Sequence, residues 1–356
     1  MKIFIDIGHP AHVHYFRNFI KVMNENGHEF FITARNKEVT HELLNYYRIP
    51  FKSRGKGRRG YLGKFLYIFE ADYKLLKEAK KFNPDLFLSF GSAYAAQVSK
   101  IMGKPHIAFD DTEHAKYEHL MYVPFTDCII TPFCFKKDFG KKHIRFKGTM
   151  DLAYLHPKYF FDDTNYLKEL NLTSTTFFIL RFVSFNASHD RSQKGISNKY
   201  KSIIVDLLKD YGKILISSEY KLPSFEEYLY KDNPAKIHTL MKHANLFVGE
   251  SGSMASEAAI LGTPSVIMNS SIKFFGVFDY LNKYKNLYLC ENEEEMVIKI
   301  QELLQDNCLK DKSKNNSINF ISDNINVTDF MVWFVENYPE SHNIMQTKPD
   351  YQFNFR

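Results

Sequence analysis

Leu246–Val266 reads LFVGESGSMASEAAILGTPSV. Leu246–Val248 is a short apolar run, Met254–Leu261 has the apolar density of a buried helix, and Ser265–Met268 is apolar again. The stretch is therefore strand, tight turn, helix, turn, strand. Gly249 and Gly252 permit a sharp turn and close approach of a ligand. Ser251, Gly252, Ser253 and Met254 place hydroxyls and free N–H groups at a helix start, where a diphosphate binds readily. Glu257 lies about one turn into that helix and can accept bonds from two ribose hydroxyls. The competing reading has no ligand: Ser253 caps the helix and Glu257 is a solvated surface residue.

The same alternation runs outward from this stretch. Phe177–Phe182 and Lys213–Ser217 read as strands, and Lys199–Leu208 and Glu293–Leu304 as helices. In the first half, Lys2–Ile7, Glu29–Ala34, Leu86–Phe90, His106–Phe109 and Cys128–Thr131 read as strands, with Ile49–Lys52 leading to an edge strand. Between them lie helical patterns over Val13–Asn24, Glu38–Tyr47, Gly63–Phe82 and Ala93–Met102. Strand–helix alternation means parallel sheets covered on both faces. The expected class is α/β, with two Rossmann-like doubly wound domains facing a cleft. Residues 1–150 form the first, 151–335 the second and 336–356 a polar, loosely held tail.

The bulk composition agrees. At 356 residues the chain suits two domains, and 44% hydrophobic with 25% charged residues is ordinary for a soluble protein. The net charge of +6 fits an anionic ligand or membrane surface and is too small to argue for nucleic acid. Cys128, Cys134, Cys290 and Cys308 form no CxxC pair, so reduced thiols and a cytoplasmic location are expected. No apolar run reaches the ~20 residues of a membrane span.

Four further places carry candidate chemistry. Asp6–Phe16, DIGHPAHVHYF, holds His9, His12 and His14 at the start of a helix. A histidine there suits a general base, because its unperturbed pKa is near ~6.5 and a helix N-terminus disfavours its charged form. The alternatives are capping and packing, or a metal site; the latter has no fixed ligand spacing. Asp110, Asp111 and Glu113 follow a strand, where carboxylates serve as base or hold sugar hydroxyls, or simply cap a polar loop. Arg181 ends a strand and could fork onto a diphosphate or make a structural salt bridge, with Ser184, Asn186 and His189 following it. Lys52–Lys64 carries Arg58 and Arg59 among other cations, flanked by Tyr61, Leu62, Phe65 and Leu66. Such a stretch suits an anionic membrane surface or lipid pyrophosphate, nucleic acid, or a plain solvated loop.

The Ser251–Glu257 turn resembles the donor-nucleotide motif of GT-B glycosyltransferases and of the non-hydrolysing UDP-N-acetylglucosamine 2-epimerases. By that resemblance Ser251, Gly252 and Ser253 hold the diphosphate and Glu257 the ribose. Arg54–Tyr94 and Pro105–His114, PHIAFDDTEH, are similar to the acceptor domain of the lipid II-forming N-acetylglucosaminyltransferase. The opening DIGHPAHVH resembles an uncharacterised GT-B-like family. The resemblance implies a GT-B glycosyltransferase, inverting if it acts by direct attack. It would move a sugar from a nucleotide diphosphate donor, UDP first among them, to a cell-envelope or surface-polysaccharide acceptor. The second domain would bind donor and the first a glycan or lipid-linked acceptor, with peripheral contact at the inner face of the membrane. His12 matches the histidine of the transferase's first loop, with His9, His14, Ser92, Arg58 and Arg59 at the acceptor. No metal and no cofactor beyond the nucleotide-sugar substrate is expected, and no nucleic acid. The alternatives are a 2-epimerase of the same fold, against which Ser92 stands where epimerases have Asp, and a non-catalytic nucleotide- or glycan-binding protein.

Overall fold

The computed structural model describes every residue except 59, 184–194 and 271–273, and leaves the side chains of 61, 62, 64 and 65 undescribed. The chain divides into two compact units, Met1–Tyr159 with Asn324–Arg356, and Phe160–Asp323.

Unit 1 holds strands β1 Lys2–Ile7, β2 Glu29–Arg35, β3 Lys52–Gly55, β4 Leu86–Phe90, β5 His106–Phe109, β6 Cys128–Pro132 and β7 His143–Phe146. Its helices are α1 Pro10–Glu25, α2 Thr40–Tyr46, α3 Tyr61–Phe82, α4 Ala93–Met102, α5 Lys116–Tyr122 and α6 Leu152–Leu155. The sheet is parallel in the order β3-β2-β1-β4-β5-β6-β7. Ile3, Phe4, Ile5 and Ile7 are all buried, as a strand covered on both faces requires. Phe4 stacks on Phe31 of β2 at 5.4 Å and meets Phe87 of β4 at 5.1 Å, locking the three central strands in register.

Unit 2 runs α7 Thr164–Glu169, β8 Phe177–Phe182, α8 Asn198–Lys209, β9 Lys213–Ser218, α9 Ile237–His243, β10 Leu246–Gly249 and α10 Gly252–Ile260. It continues with β11 Ser265–Ile267, α11 Gly276–Asn282, β12 Leu287–Leu289, α12 Glu293–Leu304 and α13 Leu309–Asp323. Its parallel sheet has the order β12-β11-β10-β8-β9. The strand order reverses between β1 and β4 in unit 1 and between β8 and β10 in unit 2. Ligands of open α/β sheets bind at such reversals, beyond the carboxyl ends of the strands.

The division differs from the expected one at both ends of the second domain: residues 151–159 and 324–335, expected there, belong to unit 1. Residues 336–356 are not a loose tail. They follow α14 Val327–Glu336 and include α15 Glu340–Thr347, which belong to unit 1. Phe330 and Phe334 are fully buried, Phe330 meets Phe146 at 6.0 Å, and Trp333 stacks on Tyr351 at 4.7 Å. Backbone bonds fasten the return: Ile325 N–H donates to the Lys147 carbonyl, and Lys147 N–H to Gln352 Oε1. The apolar run in α14 supplies the burial that a polar-looking terminus hid.

Among the described residues no helix is long and apolar enough to cross a membrane. All four cysteines are free, Cys128 and Cys290 being buried.

Candidate functional site

In unit 2 the β8/β10 reversal brings Arg181 against the Gly249–Gly252 turn. Gly249 pairs with Arg181 in register, and Glu250 N–H donates to the Arg181 carbonyl at 3.0 Å. Ser251, not Ser253, caps α10, its Oγ accepting from Met254 N–H at 3.4 Å. Ser253 is exposed and Met254 half-buried at the same helix start, whose first turn carries no acidic side chain to oppose an anion. Neither glycine has a positive φ. A Cβ on Gly249 would lie 2.5 Å from the Arg181 carbonyl oxygen, and one on Gly252 2.5 Å from Phe278 Cζ. The glycines thus serve close packing of strand and helix within the protein, not the sharp backbone turn that their sequence suggests.

Glu257 is only 7% exposed, so the solvated reading fails. Its carboxylate lies 3.2 Å from His238 Nε2 on α9. Arg181 donates to Ser217 Oγ at 2.9 Å and to Glu219 Oε1 at 2.6 Å, while its buried Nε has no hydrogen-bond partner among the described residues. The salt bridge is real, and it holds the guanidinium beside the turn. Ser184, Asn186 and His189 lie outside the described residues.

In unit 1 the three histidines part company. His9 caps α1, its Nδ1 accepting from Ala11 N–H at 3.2 Å, with Pro10 in the first helical turn as caps favour. His14 is buried on the other side, stacked on Tyr154 at 5.2 Å, and is a packing residue. His12 packs on Phe90 at 4.7 Å and accepts the Gly8 N–H on Nδ1 at 3.3 Å. Burial, and then His9, Lys37 and Arg54, hold its imidazole well below its ordinary value. A neutral ring whose Nδ1 lone pair is taken carries its proton on Nε2. In this arrangement His12 offers a donor rather than the base expected of it.

Ser92 caps α4 by accepting Ala95 N–H at 3.3 Å and donates to Asp6 Oδ2 at 2.6 Å. Asp6, fully buried, also accepts from Thr33 Oγ1 at 2.8 Å and Arg54 Nε at 2.9 Å. Arg54 in turn donates to Tyr67 OH and lies over the Tyr94 ring at 4.6 Å. Next to this network Asp72 has a buried Oδ1 without a hydrogen-bond partner among the described residues, and burial, then Asp6, push its carboxyl up to about 7. Sequence reasoning passed over Asp6, Arg54 and Asp72. The available signal was an aspartate inside an otherwise apolar strand, which demands a buried partner.

The three acids also separate. Asp110 accepts from Thr112 N–H at 2.8 Å, His119 Nε2 at 2.8 Å and Tyr122 OH at 2.5 Å. It is 4% exposed and saturated, which makes it a structural anchor of the loop rather than a catalytic group. Glu113 is buried alongside Cys134, whose thiol burial, then Glu113, raises to about 12. Asp111 is half-buried and accepts from Tyr15 OH at 3.2 Å and Thr112 Oγ1 at 3.1 Å. Burial, then Asp110 and Asp151, push its carboxyl up to about 8. Tyr15 packs on Phe90 at 4.9 Å, as His12 does, so one aromatic floor carries both groups.

Arg58 pairs with Glu70 at 3.0 Å, and Arg59 lies outside the described residues. Leu66, Phe69 and Tyr73 stand exposed along one stripe of α3. Among the described residues no group of three or more His, Cys, Asp or Glu side chains is placed to hold a metal.

Residues 1–338 match the model of the family described as "Protein of unknown function (DUF354)". An uncharacterized protein from Methanocaldococcus jannaschii is 23% identical over 321 residues, covering 85% of this chain and 92% of that one. Among solved structures, S. aureus MnaA in its co-structure with UDP superposes with a TM-score of 0.68 at 15% identity, covering 96% and 97% of the two chains. The M. jannaschii UDP-GlcNAc 2-epimerase in complex with UDP-GlcNAc and UDP gives 0.63 at 14% identity, covering 90% and 99%. The spinosyn rhamnosyltransferase SpnG complexed with spinosyn aglycone gives 0.63 at 13%, covering 95% and 100%. The fold is therefore of the GT-B type that epimerases and glycosyltransferases share.

Proposed function

The chain belongs to the DUF354 family, a membership that fixes no reaction, and we propose from its geometry that it is a nucleotide-sugar-dependent glycosyltransferase. Unit 2 takes the nucleotide diphosphate, UDP first among candidates, at the Ser251–Met254 helix start, with Glu257 on the ribose and Arg181 beside the leaving diphosphate. Unit 1 supplies the base that takes the proton from the acceptor hydroxyl as it attacks the anomeric carbon. Attack on the face opposite the diphosphate inverts that centre.

The observation that carries this reading is Asp111. A half-buried carboxyl shifted to about 8, held by Tyr15 OH, is a base poised near working pH. His12 Nε2–H supplies a donor to the acceptor or the transferred sugar from the same aromatic floor. The acceptor is a cell-envelope or surface glycan, or its lipid-linked form. The exposed α3 stripe with Lys56 and Arg58 beside it would rest on the anionic inner face of the membrane.

A second reading, a nucleotide-sugar 2-epimerase, is favoured by the nearness of Asp111, Asp151 and Glu113, since that chemistry takes and returns a proton. Against it, Ser92 is an alcohol committed to Asp6.

The test is thermal unfolding with UDP, dTDP, GDP and CMP, in wild type and Glu257→Ala. A ligand of the native state alone adds about 2.7 kcal/mol at a hundred times its Kd. One nucleotide should stabilise wild type and not the variant. Incubating the matching sugar nucleotide in D2O then separates the two reactions. An epimerase exchanges the sugar C2 proton without acceptor, and a transferase does not. If no nucleotide stabilises the folded protein, the donor reading falls.

A further inference from the structure

Glu250 sits in the middle of the donor turn, is 1% exposed, and took no part in the reading of the site. Its two carboxylate oxygens go to two different places on the chain. Oε2 accepts from Val183 N–H at 2.8 Å, and Oε1 from Ile196 N–H at 2.5 Å. Val183 follows β8 and Ile196 precedes α8, so one side chain grips both ends of the β8–α8 connection. The main chain of the same residue joins two more segments: its N–H donates to the Arg181 carbonyl at 3.0 Å, and its carbonyl accepts from Asn269 Nδ2 at 2.9 Å. Lys201 of α8 lies 3.6 Å from Oε1, buried, and donates one of its N–H groups to Tyr220 OH at 2.7 Å.

A buried carboxylate is costly unless its lone pairs are filled and its charge opposed. Here both conditions are met by backbone N–H groups and one lysine. Three loops that leave the carboxyl edge of the unit 2 sheet are thereby tied to the residue immediately before the Ser251 cap. We propose that Glu250 is a positioning residue of the nucleotide site: it clasps Val183 and Ile196 to the donor turn and so holds Arg181 and the Ser251–Met254 N–H groups in binding register. This rests on the nucleotide reading of that turn.

Glutamine is not a conservative replacement. An amide has an acceptor on one side only, and its NH2 would face a backbone N–H. Glu250→Gln therefore breaks one of the two clasp bonds while keeping shape. The experiment compares wild type, E250Q and V205A for amide hydrogen exchange and for UDP titration. Val205 belongs to the core of the same unit and its side chain makes none of the clasp hydrogen bonds, so V205A controls for general loss of stability.

The expected result is at least tenfold faster exchange of the Val183 or Ile196 amide in E250Q, and at least tenfold weaker UDP binding. V205A should lose stability and keep UDP affinity. Wild-type UDP affinity in a folded E250Q overturns the proposal, as does an equal loss of affinity in V205A. If E250Q does not fold, wild-type exchange decides: unprotected Val183 and Ile196 amides overturn the clasp. A wild type that binds no nucleotide defeats the donor reading alone. The exchange arm then judges the clasp by itself, and unchanged protection in E250Q overturns it.

Discussion

The Ser92 hydroxyl donates to the buried Asp6 carboxylate at 2.6 Å, across the β1/β4 reversal of the first sheet. Asp6 thereby gains a third donor besides Thr33 and Arg54, and α4 gains its cap. Ser92→Ala should cost about 1–3 kcal/mol, the worth of a cap and a bond to a charged group. Ser92→Asp should cost more, about 3–5 kcal/mol, by setting a second carboxylate against Asp6 with only one arginine between them. Urea denaturation of the two variants checks the order; an S92D protein as stable as wild type would mean that Asp6 is not confined as described.

Asp111→Asn should lower turnover by about a hundredfold or more, the usual worth of a general base. In wild type, activity should rise with pH and level off above about 8, following the carboxyl. Stability should move the other way. The folded pKa lies above the unfolded one, so from about pH 4 to about 8 the native state holds a proton that the unfolded state has lost, and stability falls with rising pH across that window. D111N should lack this decline, so its advantage over wild type grows from pH 4 to 8. Thermal midpoints at four pH values decide it.

His238→Ala should weaken nucleotide binding through Glu257, which it holds at 3.2 Å. A carboxylate that loses that neighbour is less firmly aimed at the ribose, and about tenfold in affinity is expected, the order of a single hydrogen bond to a charged group. Calorimetric titration with the nucleotide that stabilises wild type reads the effect; unchanged affinity would detach Glu257 from the ribose.

Gly252→Ala should destabilise by about 1–3 kcal/mol, because the new Cβ meets Phe278 Cζ at 2.5 Å and the ring must shift. Combined with Phe278→Ala, the glycine change should cost less than it does alone. Additive losses in a double-mutant cycle would place the need for glycine elsewhere, for instance at the ligand.

Phe69→Glu with Tyr73→Glu should reduce binding to vesicles rich in anionic lipid at least tenfold and leave the midpoint of unfolding near wild type, since both side chains are already exposed. Equal sedimentation of variant and wild type with those vesicles would remove the membrane from the reading.

Most of the strands were legible in the sequence, because a strand buried on both faces has to be a nearly continuous apolar run, as in IFIDI or FFILRF, each interrupted by a single charged residue. Short elements were not. The four residues of β7, HIRF, alternate polar and apolar over too short a span to stand out, and their two polar side chains are paired with Thr131 and the Phe133 carbonyl of the preceding β6 segment. The edge strand to which Ile49–Lys52 leads forms as Lys52–Gly55, with Arg54 buried inside it. The site was legible as positions and not as roles. DIGHPAHVHYF announces three histidines, but only packing says that one caps, one stacks and one accepts a backbone N–H. DDTEH announces three acids, but only the ring of donors around Asp110 and the burial around Asp111 tell a fully bonded carboxylate from one whose affinity for a proton is raised. Glu250 looked like any turn residue, since both of its backbone donors lie more than fifty positions away.

Unit 1 is broken in the chain, and unit 2 is not. During synthesis residues 160–323 emerge as an unbroken stretch and can fold as soon as they are clear of the ribosome, domain by domain as larger chains do. The sheet that begins with Lys2 must wait for Val327, Phe330 and Phe334 before its last apolar face is covered. The half made first is thus the half finished last, and a chain cut after residue 323 would carry a completed second unit attached to an uncapped first one.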